Sequence, residues 1–146
     1  MPTSTTPSHG LFALLQGAGC VTDFVEARLS VVGLSIPKLA ALQRLVDAGD
    51  SLPLGQLAGR LACVKSNVTQ LVDRLEADGF VARELDSTDK RSRLAVITDA
   101  GRKAWEEGAR VQAEAEAELL QSLSPDDTVR LADIIEKLRN RVRCTE

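Results

Sequence analysis

Two short stretches of this chain concentrate side chains suited to recognising another molecule. The first is Lys65-Ser66-Asn67-Val68-Thr69-Gln70, with Arg74 one helical turn further on. Asn67 and Gln70 each offer a donor and an acceptor on one rigid amide plane, Ser66 and Thr69 add hydroxyls, and Lys65 adds a cation. The second is Asp89-Lys90-Arg91-Ser92-Arg93, in which Lys90, Arg91 and Arg93 crowd around one carboxylate. Paired donors and acceptors suit the edges of nucleobases. Guanidinium and ammonium groups suit phosphate oxygens and the negative potential of a narrow groove.

Covalent chemistry has little to work with. The single histidine, His9, lies at the edge of a polar N-terminal stretch, and no glycine-rich phosphate loop or metal-spaced Cys/His cluster occurs. Cys20, Cys63 and Cys144 are odd in number and form no CxxC element, so reduced thiols are expected, with no cofactor, no metal and no enzymatic activity. The formal net charge of -3 argues against a uniformly basic surface but leaves room for a locally basic face. Apolar runs such as Leu11 to Leu15 are too short to cross a bilayer. Met1 to Ser8 lacks the basic flank and apolar core of a signal peptide, so a cytoplasmic location is expected.

Hydropathy periodicity supplies the elements that must hold these side chains. Leu11, Leu14, Leu15, Ala18, Val21, Val25 and Leu29 recur at helical intervals, predicting a long first helix to about Ser30. A second follows from about Ile36 with Gly49 just past its end, a third over Leu54 to Leu61, and a fourth from about Lys65 to Asp78, with Val68, Leu71, Val72 and Leu75 inward. The period then becomes alternating through Val81, Arg83 and Leu85 and again through Leu94 and Val96, predicting a two-stranded hairpin whose turn is Asp86 to Ser92. Thr98 stands at the N-cap of a fifth helix carrying Trp105, and Ser124-Pro125-Asp126-Asp127 opens a sixth.

Helices, hairpin and two further helices in this order predict a mainly α fold with a small β-hairpin wing, a winged helix-turn-helix flanked by terminal dimerisation helices. The expected division is a disordered tail at 1–9, a winged helix-turn-helix domain at 36–98, and a helical dimerisation region at 10–35 with 99–146. Leu57, Leu61, Val68 and Leu71 join the third and fourth helices, leaving Lys65, Ser66, Asn67, Thr69 and Gln70 to face the major groove of double-stranded DNA. Lys90, Arg91 and Arg93 at the hairpin tip suit the minor groove, and Asp89 is expected to hydrogen-bond Arg91 and hold it extended. The terminal helices carry more apolar surface than one such domain needs, which predicts a homodimer.

Asp86-Ser87-Thr88-Asp89-Lys90-Arg91-Ser92-Arg93, followed by Val96-Ile97-Thr98-Asp99-Ala100-Gly101, resembles the wing and following helix start of MarR-type regulators. Val68 to Val81 resembles their recognition helix and first wing strand. The resemblance implies a homodimer on a palindromic operator, often a repressor released by a small-molecule inducer or an oxidant. It puts the family's wing aspartate and arginine on Asp89 and Arg91, and its recognition residues on Ser66 to Gln70.

Cys63, just before the recognition helix and two residues from Lys65, is the thiol whose surroundings would favour a thiolate. Cys20 and Cys144 fall on elements expected at the dimer seam. A small-molecule pocket would lie among the first, second and fifth helices, with Phe12, Phe24 and Trp105 as candidate walls and no specific ligand residue assigned. The alternative to DNA binding is a winged-helix scaffold for a protein partner.

Overall fold

The computed structural model describes residues 8–61 and 67–143; Cys63, Lys65, Ser66 and Cys144 lie outside them. The elements are α1 (Ser8–Val31), α2 (Ile36–Asp47), β1 (Ser51–Pro53), α3 (Leu54–Arg60), α4 (Val68–Ala77), β2 (Val81–Leu85), β3 (Arg93–Ile97), α5 (Asp99–Leu120) and α6 (Pro125–Arg143). They fall into two units, Met1–Gln112 and Ala113–Glu146.

The first unit is built around one apolar cluster. Leu29 of α1, Leu42 and Leu45 of α2, Leu57 of α3 and Val72 and Leu75 of α4 are fully enclosed. Each contributes about 1.5–3 kcal/mol through burial. Of the apolar stripe expected along α1, Leu29 is buried and Val25 half-buried, while Leu11, Phe12, Leu14, Leu15 and Val21 are exposed. The entry to α2 is set by Ser35, whose hydroxyl accepts from the Lys38 amide at 3.3 Å, with Pro37 in the first turn where no amide hydrogen is needed.

Two boundaries differ from the sequence reading. The expected two-stranded hairpin is a three-stranded antiparallel sheet of order β1-β3-β2, with Ser51 opposite Val96, Leu52 opposite Ala95 and Pro53 opposite Leu94. Three residues are too few to display an alternating pattern, and Pro53 is tolerated because β1 is an edge strand. The helix expected from about Lys65 begins, among the described residues, at Val68, with Asn67 in the N-cap position.

A compact junction fastens α4, the sheet and α5. Gly79 ends α4 with φ 76°, and the Phe80 amide returns to the Leu75 carbonyl at 2.9 Å. Thr98 then closes on this turn: its amide donates to the Phe80 carbonyl at 3.0 Å and its hydroxyl to the Gly79 carbonyl at 2.6 Å. The same hydroxyl accepts from the Gly101 amide at 3.0 Å, capping α5. Gly101 is required here, because a Cβ would lie 2.0 Å from the Phe80 carbonyl oxygen. Further along α5, Arg102 pairs with Asp50, and the Trp105 indole N–H donates to Gln43 at 2.9 Å.

In the second unit Ser124 and Asp127 form a reciprocal cap. The Asp127 amide donates to the Ser124 hydroxyl at 3.2 Å, and that hydroxyl donates to the Asp127 carboxylate at 2.8 Å. The helix that follows buries none of its residues and leaves Leu131, Ile134, Ile135 and Leu138 exposed. No single helix among the described residues is long and apolar enough to cross a membrane.

Gly101→Ala and Gly59→Ala should act with opposite sign. The first drives a methyl into backbone and should cost about 1–3 kcal/mol or more. The second, where nothing lies within 4 Å, should gain up to about 1 kcal/mol from helix propensity. Chemical denaturation of both variants checks the pair.

Candidate nucleic-acid interface

The α4 helix presents two sharply different faces. Val68, Val72 and Leu75 are buried and Leu71 half-buried, so Thr69, Gln70, Asp73, Arg74, Glu76 and Ala77 are left in solvent. Leu57 of α3 belongs to the same apolar cluster as Val68, with Leu61 and Leu71 packed against it. Asn67, Gln70 and Arg74 lie together along a groove of about 290 Å³ between α2 and α4, whose apolar wall includes Ile36, Pro37, Ala40 and Leu71.

The tip between β2 and β3 is organised by two aspartates. Asp86 accepts from both the amide and the hydroxyl of Thr88, at 2.9 and 2.7 Å. Asp89 accepts from the Arg91 backbone amide at 3.0 Å. The expected contact between Asp89 and the Arg91 side chain is therefore corrected: the carboxylate shapes the turn through the main chain and leaves the guanidinium free to project. The local geometry of an aspartate two residues before an amide favours this bond over a salt bridge in water. Lys90, Arg91 and Arg93 are all exposed. The Thr88 hydroxyl, followed by its amide, holds the Asp86 carboxyl below its ordinary range.

Sequence reasoning missed a side chain that joins these two parts. Arg83 of β2 donates to Asp73 of α4 at 2.5 Å and also to Glu76. Hydrogen bonding to Asp73 is the largest influence raising its pKa. The available signal was a strand arginine following acidic residues spaced three apart on the preceding helix.

The expected pocket takes a different form. A cavity of about 250 Å³ lies between α2 and α5, lined by residues including Leu39, Gln43, Arg44, Ala109 and Gln112. Phe12, Phe24 and Trp105 are not among its lining residues: Phe12 is exposed, Phe24 lies 3.6 Å beneath the Arg28 guanidinium, and Trp105 is held by Gln43. Ile36 and Ala40 border both this cavity and the groove beside α4. Cys20 is exposed on α1. Among the described residues no cluster of His, Cys, Asp and Glu is arranged to hold a metal.

A helix pair with an exposed polar second helix, followed by a hairpin with a cationic tip, defines a winged helix-turn-helix domain. The MarR family model matches residues 34–92. The HTH-type transcriptional regulator YkoM of Bacillus subtilis is 35% identical over 105 residues, covering 72% of this chain and 68% of that protein. The transcriptional activatory protein BadR of Rhodopseudomonas palustris is 34% identical over 97 residues, which span 65% of this chain and 55% of BadR. The crystal structure of the organohalide-sensing regulator RdhR, in its 2,4-dichlorophenol-bound form, superposes with a TM-score of 0.83 at 21% identity over 90% of this chain and 78% of that one. The chain belongs to the MarR family. It is a MarR-type transcriptional regulator.

Protonation of Asp86 should loosen the wing turn. Because its folded-state pKa is lowered, the stabilisation is present above the ordinary carboxylate pKa and is lost as pH falls through the lowered value. The Thr88 amide resonance should therefore titrate with a midpoint below the usual aspartate value of about 3.9, and Asp86→Ala should abolish that titration.

Proposed function

We propose that the chain acts in the cytoplasm as a homodimer that represses transcription from a palindromic operator and is released by a small-molecule inducer. The observation that carries the DNA-reading part is the exposed face of α4, with Asn67, Thr69, Gln70 and Arg74 outward while Val68, Val72 and Leu75 are buried. The proposed recognition set also includes Lys65 and Ser66. Asn67 and Gln70 read base edges, and Arg74 and the hydroxyls engage phosphate or sugar. In the wing, Arg91 enters the minor groove, Lys90 and Arg93 add phosphate contacts, and Asp89 maintains the turn.

Dimerisation is supported by the apolar side chains that α1 and α6 each leave in solvent, Leu11, Phe12 and Leu15 on one, Ile134, Ile135 and Leu138 on the other. A second copy covers them, and two heads about 34–36 Å apart meet successive turns of the duplex. Release by a ligand is supported by the cavity between α2 and α5, where Arg44, Gln43 and Gln112 offer polar anchors beside apolar walls. The regulator of similar fold in complex with 2,4-dichlorophenol supports the same reading. Release by oxidation is the second reading, resting on the exposed thiol of Cys20. Oxidant-dependent release that survives replacement of Cys20, Cys63 and Cys144 by Ser excludes it.

Selection of duplexes from a random library, followed by a gel-shift titration, tests the central claim. Enrichment of a palindrome supports it, and failure to enrich any duplex favours the protein-binding scaffold. On the selected duplex, Asn67→Ala or Gln70→Ala should each cost on the order of 1–3 kcal/mol and relax preference at one position per half-site. Arg91→Ala should weaken binding to all sequences and reduce the log-log salt slope by about two for the dimer. Asp89→Ala should show part of the same defect, although it removes a negative charge. Tighter binding by Asp89→Ala contradicts the turn-shaping role.

Leu138→Asp should shift the sedimenting species from dimer toward monomer, since a lone carboxylate in an apolar seam is costly to desolvate. A dimer unchanged at micromolar concentration contradicts a seam through α6.

A further inference from the structure

We infer that Arg83 is a positioning residue of the reading head, holding the Asp73 and Glu76 carboxylates of α4 against the wing strand so that two negative charges do not meet DNA phosphate. The inference rests on the reading of α4 proposed above.

Helical spacing puts these carboxylates where they matter. Asp73 is one turn beyond Thr69 and Gln70, on the face opposite the buried Val68, Val72 and Leu75, and Glu76 is a further turn along. Their side chains are 57% and 42% exposed, so nothing in the core restrains them. Asp73 adjoins Thr69 and Gln70 while Glu76 lies further round the helix toward β2, and an unpaired acidic pair on this flank repels the phosphates that the neighbouring side chains must approach.

Arg83 answers that repulsion from a neighbouring element. It stands on β2 opposite Ala95, and one guanidinium nitrogen meets Asp73 while the other meets Glu76. The planar fork meets each carboxylate with its own nitrogen in a fixed geometry, whereas a lysine would have to share one ammonium nitrogen between them. The Arg83 side chain is 20% exposed, so its stem lies along the protein while its head faces α4. Its raised pKa, due first to the Asp73 hydrogen bond, agrees with a guanidinium engaged by acids. The bridge has a second effect, because it ties α4 to the strand that leads into the wing.

Charge replacement separates this role from plain structural support. The probe is the duplex selected by the wild-type chain, with affinity read by fluorescence anisotropy over a range of salt. Arg83→Gln should lower affinity on the order of tenfold at low salt, and the deficit should shrink as salt screens the freed carboxylates. Adding Asp73→Asn and Glu76→Gln should restore most of the loss, and the same neutralisation with Arg83 intact should gain less, a non-additivity that general charge effects do not produce. Arg83→Lys should recover binding only in part. A deficit that is independent of salt and unrescued by neutralisation overturns the inference in favour of a structural strut. Loss of preference at one base pair on Asp73→Asn alone overturns it in favour of direct reading by Asp73. If Arg83→Gln fails to fold, Arg83→Lys with and without Asp73→Asn carries the same test. Failure of the wild-type chain to select any duplex removes the α4 reading itself, whereas normal selection with undiminished binding by Arg83→Gln removes this inference alone.

Discussion

The contact on which the reading head depends is the closure of Thr98 and Gly101 over the turn that ends α4. One carbonyl, that of Phe80, receives the Thr98 amide and leaves no room for a Cβ on Gly101. The neighbouring Gly79 carbonyl receives the Thr98 hydroxyl, which also caps α5. Four chain segments therefore meet within hydrogen-bonding distance: the end of α4, the start of β2, the end of β3 and the start of α5. Because β2 and β3 carry the wing, the angle between wing and recognition helix is set by this closure rather than by the tip itself. The contact needs only a hydroxyl at Thr98 and a glycine at 101, where any side chain would meet the Phe80 backbone.

Charge is distributed with the same economy. A formal net charge of -3 is a poor omen for a DNA-binding protein when read as a sum. Locally the balance differs: the wing tip exposes Lys90, Arg91 and Arg93, and the acids of α4 are occupied by Arg83. The aspartates of the tip act on the main chain, so their hydrogen-bonding capacity is spent on the turn instead of on the neighbouring guanidinium. An acidic total is thus compatible with a basic contact surface because Asp73, Glu76, Asp86 and Asp89 near that surface already have partners.

Periodicity made most of the helices legible before any coordinates. Val68, Val72 and Leu75 repeat at the spacing of one buried stripe, and Ser124 with Asp127 spells a capping box, so α4 and the start of α6 could be read from residue types alone. The Thr98 cap was legible for the same reason. β1 was not, because a three-residue edge strand has no measurable period and is defined by its partner β3, more than forty residues away in the chain. The Arg83 bridge was hidden because it depends on how a strand crosses a helix, which no one-dimensional pattern records. The Asp89 contact failed in a more instructive way. Asp89 and Arg91 do meet, but through carboxylate and backbone amide, because in water this local bond costs less entropy than one between two charged side chains.

The proposed release by a ligand also has a mechanical basis in this arrangement. The cavity between α2 and α5 and the groove beside α4 share Ile36 and Ala40, so α2 is a common wall with a different occupant expected on each side. α5 is tied to the sheet and to the end of α4 by Arg102 on Asp50 and by the glycine contact at Phe80, and to α2 itself by Trp105 on Gln43. Under the proposed release, a ligand that widens the cavity strains the Trp105–Gln43 bond and moves α2 relative to α5, and through Ile36 and Ala40 that movement reaches the groove where Asn67, Gln70 and Arg74 stand. Close packing makes such a shift discrete rather than gradual. The ligand nevertheless changes DNA affinity only by the difference between its own affinities for the two arrangements. A wall shared through two apolar residues suits regulation of moderate strength, in which an inducer needs to shift the reading head by about 1–3 kcal/mol and not to unfold it.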